Sequence, residues 1–151
     1  EDRDQRPLSG VHVLDLDTLQ WEAPTTTNHP MNNEDGDQTD RSARSGHTAA
    51  AHQDRYLLLF GGGSYNRCLG DLQVFDTHAV AWLEPKVKGQ APLARASHAA
   101  ALLGDIWYIV GGGDNTRALC DMTTLQLPSD LSAPEAVLRW RGSSGGTGEE
   151  E

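Results

Sequence analysis

The sequence has little cysteine and no long apolar run. Its 151 residues include only two cysteines, Cys68 and Cys120, which are too few for a disulfide framework and lack the paired spacing of a zinc site. We therefore expect two reduced thiols. The longest apolar runs, such as Ala99 to Leu103 and Ile106 to Val110, fall far short of the ~20 residues that a membrane-spanning helix needs. A transmembrane helix is thus excluded.

A basic surface and an initiating methionine are also missing. The net charge is −10, and residues 44–141 hold equal numbers of acidic and basic residues. The central segment therefore lacks the basic stripe that phosphate backbones require, so neither nucleic acid nor a membrane is an expected partner. Because the chain begins at Glu1 without a Met or a basic-then-apolar leader, we expect a fragment of a longer protein. The two reduced thiols predict a cytoplasmic protein, with the nucleus as the alternative.

The sequence does contain an internal repeat. A triplet of glycines recurs after 50 residues, and an Arg-x-x-His motif upstream of it recurs after 51. Several residue types recur together in register, which makes chance a poor explanation. The recurring positions are Arg44, His47, Gly61, Gly62 and Asp71 in one copy and Arg95, His98, Gly111, Gly112 and Asp121 in the next.

A third, incomplete copy opens the chain. Asp15 and Trp21 are six residues apart, as are Asp76 and Trp82, and each pair follows an apolar run typical of a strand. In the last copy the tryptophan comes later, at Trp140. It lies 19 residues after Asp121, whereas Trp82 of the middle copy lies 11 residues after Asp71. The outer strand of the last copy therefore departs most from the pattern.

Each complete copy is predicted to form four short strands. Apolar, β-prone runs are separated by turn residues, and no segment shows the 3.6-residue period of an amphipathic helix. Only Asp130 to Leu138 could hold a helical turn. The segment from Glu84 to Leu93 is interpreted as a connection between copies. The predicted strands lie near residues 47–52, 55–61, 71–76 and 80–84, and near 98–103, 106–111, 121–127 and 137–141.

Residue size indicates how the copies pack. The strand from Tyr56 to Phe60 and the strand from Ile106 to Val110 are apolar at every position, which predicts that both of their faces are covered. The glycine triplets are expected where the backbone must come close to a neighbour or adopt a positive φ. Trp82 is predicted to lie over Gly61-Gly62 and beside Phe75.

These motifs resemble the kelch repeat, and the resemblance covers residues 10–141. It implies an all-β, kelch-type β-propeller fragment with two complete four-stranded blades and part of a third. At a finer level, Trp107 to Asn115 and Pro85 to His98 are similar to the kelch region of plant and algal kelch-containing acyl-CoA-binding proteins. The resemblance implies a partial blade at 1–27 and blades at 44–92 and 93–141.

The Asn, Asp, Thr and Pro content of residues 28–43 predicts an acidic flexible insertion, with a docking segment or an internal cover for the loop arginines as the alternative. The Gly, Ser and Glu content of residues 142–151 predicts a disordered acidic tail or linker.

The sequence predicts no enzyme, cofactor or metal site. Gly61-Gly62-Gly63-Ser64 lacks the Lys-Ser/Thr ending of a phosphate loop, and Asn66 stands where a nucleophile elbow needs glycine. His47 and His98 recur with the repeat, so we expect scaffold roles for them. The spacing of His47 and His52 places them on opposite faces of a strand, which disfavours a shared metal. A copper-dependent propeller oxidoreductase is the least favoured alternative.

The loops offer the better candidate site. Because strand direction alternates, the loops Ser64 to Gly70 and Asp114 to Leu119 and the connections between blades should emerge at one rim. Two arginines at equivalent loop positions could hold a partner's carboxylates, although solvated surface arginines are the alternative. The predicted partner contacts are Tyr65, Asn66, Arg67, Asp114, Asn115 and Arg117.

The predicted function is therefore a non-catalytic protein-interaction scaffold. Its partners would be proteins that bind through the propeller loops. The alternative is the kelch region of an acyl-CoA-binding lipid carrier. Members of that family hold acyl-CoA in a separate helical bundle, and this sequence lacks the amphipathic helices that could form one. Any fatty acyl-CoA would therefore bind through a domain outside this chain.

Overall fold

The fold is built from short strands. A computed structural model describes residues 10–27, 43–64 and 67–142, and these ranges contain strands and turns but no helix, hence none suited to crossing a bilayer. The all-β class predicted from the sequence is thus confirmed. The strands are β1 (Val13–Leu14), β2 (Trp21–Glu22), β3 (Thr48–His52), β4 (Tyr56–Phe60), β5 (Gly63–Ser64), β6 (Arg67–Cys68), β7 (Leu72–Asp76), β8 (Ala81–Leu83), β9 (Lys86–Lys88), β10 (Ala99–Leu103), β11 (Ile106–Val110), β12 (Met122–Gln126) and β13 (Val137–Gly142).

The first complete blade is an antiparallel sheet with the order β3-β4-β7-β8. β3 turns into β4 through Gln53 and Asp54, which have φ angles of 56° and 51°, the left-handed conformation that tight hairpin turns use. All four strands begin and end within one residue of the predicted bounds. The alternation of apolar runs and turn residues is therefore sufficient to locate them.

The second complete blade repeats this order as β10-β11-β12-β13 and adds β9 as a fifth strand. β9 is parallel to β13, with Lys88 opposite Arg139. The sequence predicts a connection between copies for these residues of β9, not a strand. Thr27 forms the same kind of parallel bridge to Ala81. Each connection therefore runs along the outer edge of the blade that follows it. Residues 86–88, which the sequence assigns to the blade at 44–92, thus belong to the sheet of the second complete blade.

The last outer strand keeps the register of the repeat despite its delayed tryptophan. Trp140 pairs with Leu125, as Trp82 pairs with Phe75 in the first blade. The extra residues lie in the loop from residue 127 to residue 136, which contains turns but no helical turn. The delay is thus a loop insertion between β12 and β13, and it leaves the strand itself in place.

The incomplete copy is present as the β1–β2 hairpin, in which Leu14 pairs with Trp21. Asp15 accepts hydrogen bonds from two backbone N–H groups of the turn that follows it. Asp76 closes the corresponding turn of the first complete blade in the same way. The recurring aspartate therefore acts as a turn cap. The predicted acidic insertion and tail, apart from Ala43 and Gly142, lie outside the described residues.

The main core lies between the two complete blades. Phe60 of the first blade and Trp140 of the second meet edge to face, with ring centroids 5.2 Å apart. The far face of the second blade is less covered, since Val110 and Met122 are each 43% exposed. The buried residues of this core are Tyr56, Leu58, Phe60, Val74, Trp107, Ile109, Leu125, Leu127, Leu131, Leu138 and Trp140.

Glycine allows the two blades to approach closely. Gly61 has a φ of 65°, and a Cβ atom there would lie 2.5 Å from the carbonyl oxygen of Arg95 in the second blade. The atoms nearest to Gly61 and Gly62 are backbone and histidine atoms. The prediction that Trp82 covers these glycines is therefore wrong. The predicted contact of Trp82 with Phe75 is present, with ring centroids 5.0 Å apart.

Candidate interaction rim

The end of the blades that carries the glycine triplets is the candidate site, and we call it the glycine rim. It comprises residues 61–71 (of which 65 and 66 are not described), the connection 89–98 and the loop 111–121. The strands that these three segments connect begin or end on this side of the blades. The turns at residues 53–54 and 77–80 lie at the opposite end of the strands, which we call the opposite rim.

An arginine and an aspartate fix the base of each rim loop. Arg44 donates two hydrogen bonds to the carboxylate of Asp71, at 2.9 and 2.7 Å, and Arg95 donates two to Asp121, both at 2.8 Å. Each arginine also donates to the carbonyl oxygen of the first glycine of its triplet. Both arginine side chains are 0% exposed. Such bidentate, charge-assisted pairs hold their loops in a defined geometry.

Backbone hydrogen bonds join the two loop bases across the seam between the blades. Arg95 donates its N–H to the carbonyl oxygen of Leu69 at 3.1 Å and accepts the N–H of Gly62 at 2.8 Å. Ser97 donates to the carbonyl oxygen of Gly46 at 2.8 Å. The loops of the two blades are therefore parts of one connected rim.

His98 belongs to the same seam. Its Nε2 atom and the hydroxyl oxygen of Thr48 share a hydrogen bond of 2.7 Å between the blades, and its ring packs edge to face on Phe60. Burial lowers the pKa of His98, and the positive charges of Arg95 and His47 lower it further. Both effects favour the neutral form of the ring, which packs between the blades.

Each rim loop ends in a small hairpin. In the first blade Ser64 pairs with Arg67, and in the second Asp114 donates its N–H to the carbonyl oxygen of Arg117 at 3.2 Å. The hydroxyl of Thr116 donates to the Asp114 carboxylate at 2.6 Å, and this bond together with backbone N–H donors holds the pKa of Asp114 well below its usual range. Arg67 and Arg117 therefore occupy equivalent positions in the two hairpins.

The two hairpins touch each other. The thiol of Cys68 donates to the carbonyl oxygen of Gly113 at 3.4 Å and lies 3.3 Å from the side-chain oxygen of Asn115. Asn115 has a φ of 74°, a left-handed conformation that asparagine tolerates better than most residues. The structure thus places the hairpin of the first blade directly beside that of the second.

The predicted contact residues are only partly described. Arg67 is exposed, and Arg117 is 68% exposed with its Nε atom 3.5 Å from the carboxylate of Asp114. Tyr65 and Asn66 lie outside the described residues. Among the described residues, the rim therefore brings Asp114, Asn115 and Arg117 together in one hairpin and places Arg67 in the neighbouring one.

The sequence of these repeats matches a known family. Residues 1–131 match the KLHDC2/KLHL20/DRC7 Kelch-repeats domain. The chain is a kelch-repeat protein. It is 43% identical to Acyl-CoA-binding domain-containing protein 5 and 39% identical to Acyl-CoA-binding domain-containing protein 4, both of Arabidopsis thaliana, over 84% of this chain and 18% of each relative. It is also 43% identical to Host cell factor of Drosophila melanogaster, over 37% of this chain and 4% of that protein.

These kelch relatives confirm the family resemblance predicted from the sequence. The chain spans less than a fifth of the length of the two Arabidopsis proteins. The comparisons therefore assign the fold and the family of this segment, and they match it to a small part of much longer proteins.

Two further residues of the glycine rim are not among the contact residues predicted from the sequence. Cys68 makes the contact between the hairpins, and Leu93, whose carbonyl oxygen accepts a hydrogen bond from Arg95 Nε, is a large exposed apolar side chain. Strand alternation places both on this rim, which is the only sequence signal that could have found them. The contact of Cys68 joins two blades, so a single repeat does not reveal it.

The histidines and cysteines are the other candidates for a chemical role in the kelch blades. Within the ranges that the structure describes, no group of three or more His, Cys, Asp or Glu side chains could hold a metal ion. His47 is exposed just before β3, whereas His52 is buried at its end, with Nε2 4.0 Å from Asp105. Cys68 and Cys120 are free thiols.

Proposed function

We propose that this kelch segment is a protein-interaction scaffold that binds its partner through the glycine rim. Arg67 and Arg117 would contact carboxylates of the partner, because guanidinium groups bind carboxylates in a planar, bidentate geometry. Exposure of both arginines on adjacent hairpins supports this role. A protein with an acidic surface is therefore the partner class we propose.

The contact between the two hairpins carries the proposal. Because Cys68 of the first blade lies against Asn115 of the second, loops from different blades form one continuous surface above the Arg–Asp pairs. Rigid scaffolds commonly present their binding residues on such loops. The pairs hold the loop base within each blade, and His98 joins the two blades, which supports a non-catalytic role for the repeated residues.

Charge reversal at the rim tests this function. We expect the double variant Arg67→Glu/Arg117→Glu to fold normally and to lose partner proteins that the unmodified chain captures from a cell extract. The matched control is Lys88→Glu/Arg139→Glu, which changes the net charge equally at the exposed outer edge of the second blade. Partners retained by the control and lost by the rim variant support the proposal, whereas equal capture by both variants contradicts it.

We propose as a second candidate that this chain is the kelch region of a lipid carrier. The two Arabidopsis relatives named as acyl-CoA-binding proteins support it. Acyl-CoA would then bind a segment outside this chain, so titration with palmitoyl-CoA should give binding to the product of the complete reading frame and none to the 151-residue chain. Binding to the short chain, or to neither, would contradict this candidate. A cytoplasmic or nuclear location stays a prediction.

A further inference from the structure

The far face of the second blade, which is the side of its sheet that points away from the first blade, matches a face that the first blade buries. Val110 and Met122 pair on this face, as Phe60 and Leu72 pair in the first blade. Phe60 is 0% exposed because the second blade covers it, whereas Val110 is 43% exposed. The far face is therefore the equivalent of a covered face and has no cover among the described residues.

Backbone groups of the seam between the blades recur at this face without partners. In the seam, Gly62 donates its N–H to the carbonyl oxygen of Arg95 at 2.8 Å, and Arg95 donates its N–H to the carbonyl oxygen of Leu69 at 3.1 Å. The Gly112 N–H and the Leu119 carbonyl oxygen are the equivalent groups, on partly exposed residues. Neither group has a hydrogen-bond partner in the ranges that the structure describes. One donor and one acceptor thus remain for an extended segment that would lie as Arg95 does.

Gly111 leaves the space for such a segment open. It has the same left-handed conformation as Gly61, with a φ of 67° against 65°. A Cβ atom on Gly61 would collide with the backbone of the next blade, whereas one on Gly111 would meet no atom of another blade among the described residues. The second blade therefore repeats the shape of the seam without the backbone that fills it.

Positive charge distinguishes the outer half of the far face. Arg139 and Arg141 are exposed and alternate with the buried Leu138 and Trp140, so both arginines belong to the far face. When the tryptophans of the two outer strands are aligned, these arginines replace Ala81 and Leu83 of the first blade. An element that covers the far face must therefore differ in its outer strands from the blade that covers the first.

These cations lie close to one another without counter-charges. Lys88 stands directly opposite Arg139 in the parallel pair of β9 and β13, and like charges in such positions are destabilising. None of Lys88, Arg139 and Arg141 forms an ion pair with a described residue. A second copy that docked through the same face would add the same cations, which disfavours self-association there. Carboxylates on the covering element would instead compensate these charges.

We propose that the far face is the docking surface of a further kelch blade whose outer strands carry carboxylates for Arg139 and Arg141. A segment of that blade accepts the Gly112 N–H and donates to the Leu119 carbonyl oxygen. In repeat architectures each unit is covered by its neighbours. The chain spans 18% of each Arabidopsis relative, so we place the blade in the remainder of a longer protein. The seam is independent of partner binding at the glycine rim, which is tested in the 151-residue chain.

Hydrogen–deuterium exchange of the unmodified proteins tests this seam without a substitution. The 151-residue chain would be compared with the product of the complete reading frame. We expect the Gly112 amide to exchange about 5- to 10-fold more slowly in the longer protein, as for one additional hydrogen bond. The Gly62 amide, already bonded in the short chain, should exchange alike in both. Equal exchange at Gly112 would overturn the proposal. So would protection of Gly112 in the short chain that rises with its concentration, because the occupant would then be a second copy.

Three variants test the shape and the charge of the seam separately. In the 151-residue chain Gly111→Ala should lower the melting temperature less than Gly61→Ala, and in the longer protein the two should lower it equally, since both then meet a following blade. Arg141→Glu should lower the melting temperature of the longer protein and leave that of the short chain unchanged. Arg67→Glu, an equal change of charge at an exposed residue of the first blade, is the matched control and should affect neither.

The same difference between Gly61→Ala and Gly111→Ala in both proteins would overturn the docking of a blade. An effect of Arg141→Glu that is the same in both proteins, or no larger than that of Arg67→Glu, would overturn the carboxylates proposed for its outer strands.

Discussion

At the scale of single residues, the two members of each Arg–Asp pair are not equivalent. The side chain of Arg95 is 0% exposed, whereas that of Asp121 is 44% exposed. Removing the carboxylate leaves a guanidinium buried without its counter-charge, but removing the guanidinium leaves a carboxylate that water can reach. Loss of a partner from a buried charge is strongly destabilising.

We therefore predict that Asp121→Asn lowers the free energy of unfolding by about 3 kcal/mol and that Arg95→Met lowers it by less. Urea unfolding followed by tryptophan fluorescence measures both. A change in Asp121→Asn of less than about 0.5 kcal/mol, the usual range of surface substitutions, would show that the pair does not hold the loop.

A second prediction at this scale concerns His98 and pH. The pKa of His98 is lowered in the folded protein by burial and by neighbouring positive charge, whereas in the unfolded chain it is about 6.5. As pH falls through this value, the unfolded chain binds the proton before the folded protein does. The free energy of unfolding therefore has its full value above about pH 7 and declines below about pH 6.5. In His98→Gln the loss of stability between these conditions and about pH 5 should be smaller. An unchanged pH dependence in denaturant titrations would contradict this.

At the scale of structural elements, the packing of one blade on the next distinguishes two glycines of the repeat. Gly61 and Gly111 have φ angles of 65° and 67°. A Cβ atom on Gly61 would lie 2.5 Å from the carbonyl oxygen of Arg95. Among the described residues, a Cβ atom on Gly111 would have one neighbour within 4 Å, the carbonyl oxygen of Leu119 at 3.4 Å. The backbone strain of an alanine is thus the same at both sites, and the steric conflict with a following blade occurs at Gly61.

Gly61→Ala should therefore destabilise the protein more than Gly111→Ala, by about 1–3 kcal/mol, the usual cost of overpacking. Thermal unfolding of the two variants under one set of conditions measures the difference. Equal destabilisation would show that the blades do not pack as the structure has them.

Much of each blade can be predicted from the sequence, and little of the seam can. Strands such as β4 and β11 are apolar runs bounded by turn residues, so local chemistry determines them. β9 contains a single apolar residue, and its pairing depends on where the connection runs in space. The contacts of His98 with Thr48 and of Cys68 with Asn115 join separate blades. They follow from packing that no one repeat encodes.

At the scale of the whole molecule, the two rims have different characters. The glycine rim is built from repeated elements, and its loops are linked across the blades by backbone and side-chain hydrogen bonds. The opposite rim carries a cleft formed by the insertion before β13, which the first blade lacks. We therefore expect protein partners to bind the glycine rim.

Hydrogen–deuterium exchange tests the central claim of partner binding most directly. Exchange would be measured on the chain alone and in complex with a partner captured as described above. We expect binding to slow exchange in residues 89–98 and 111–121 and to leave the turns at 53–54 and 77–80 unchanged, because buried backbone exchanges only after local opening. Protection confined to the opposite rim, or to the less covered face of β11 and β12, would contradict the account.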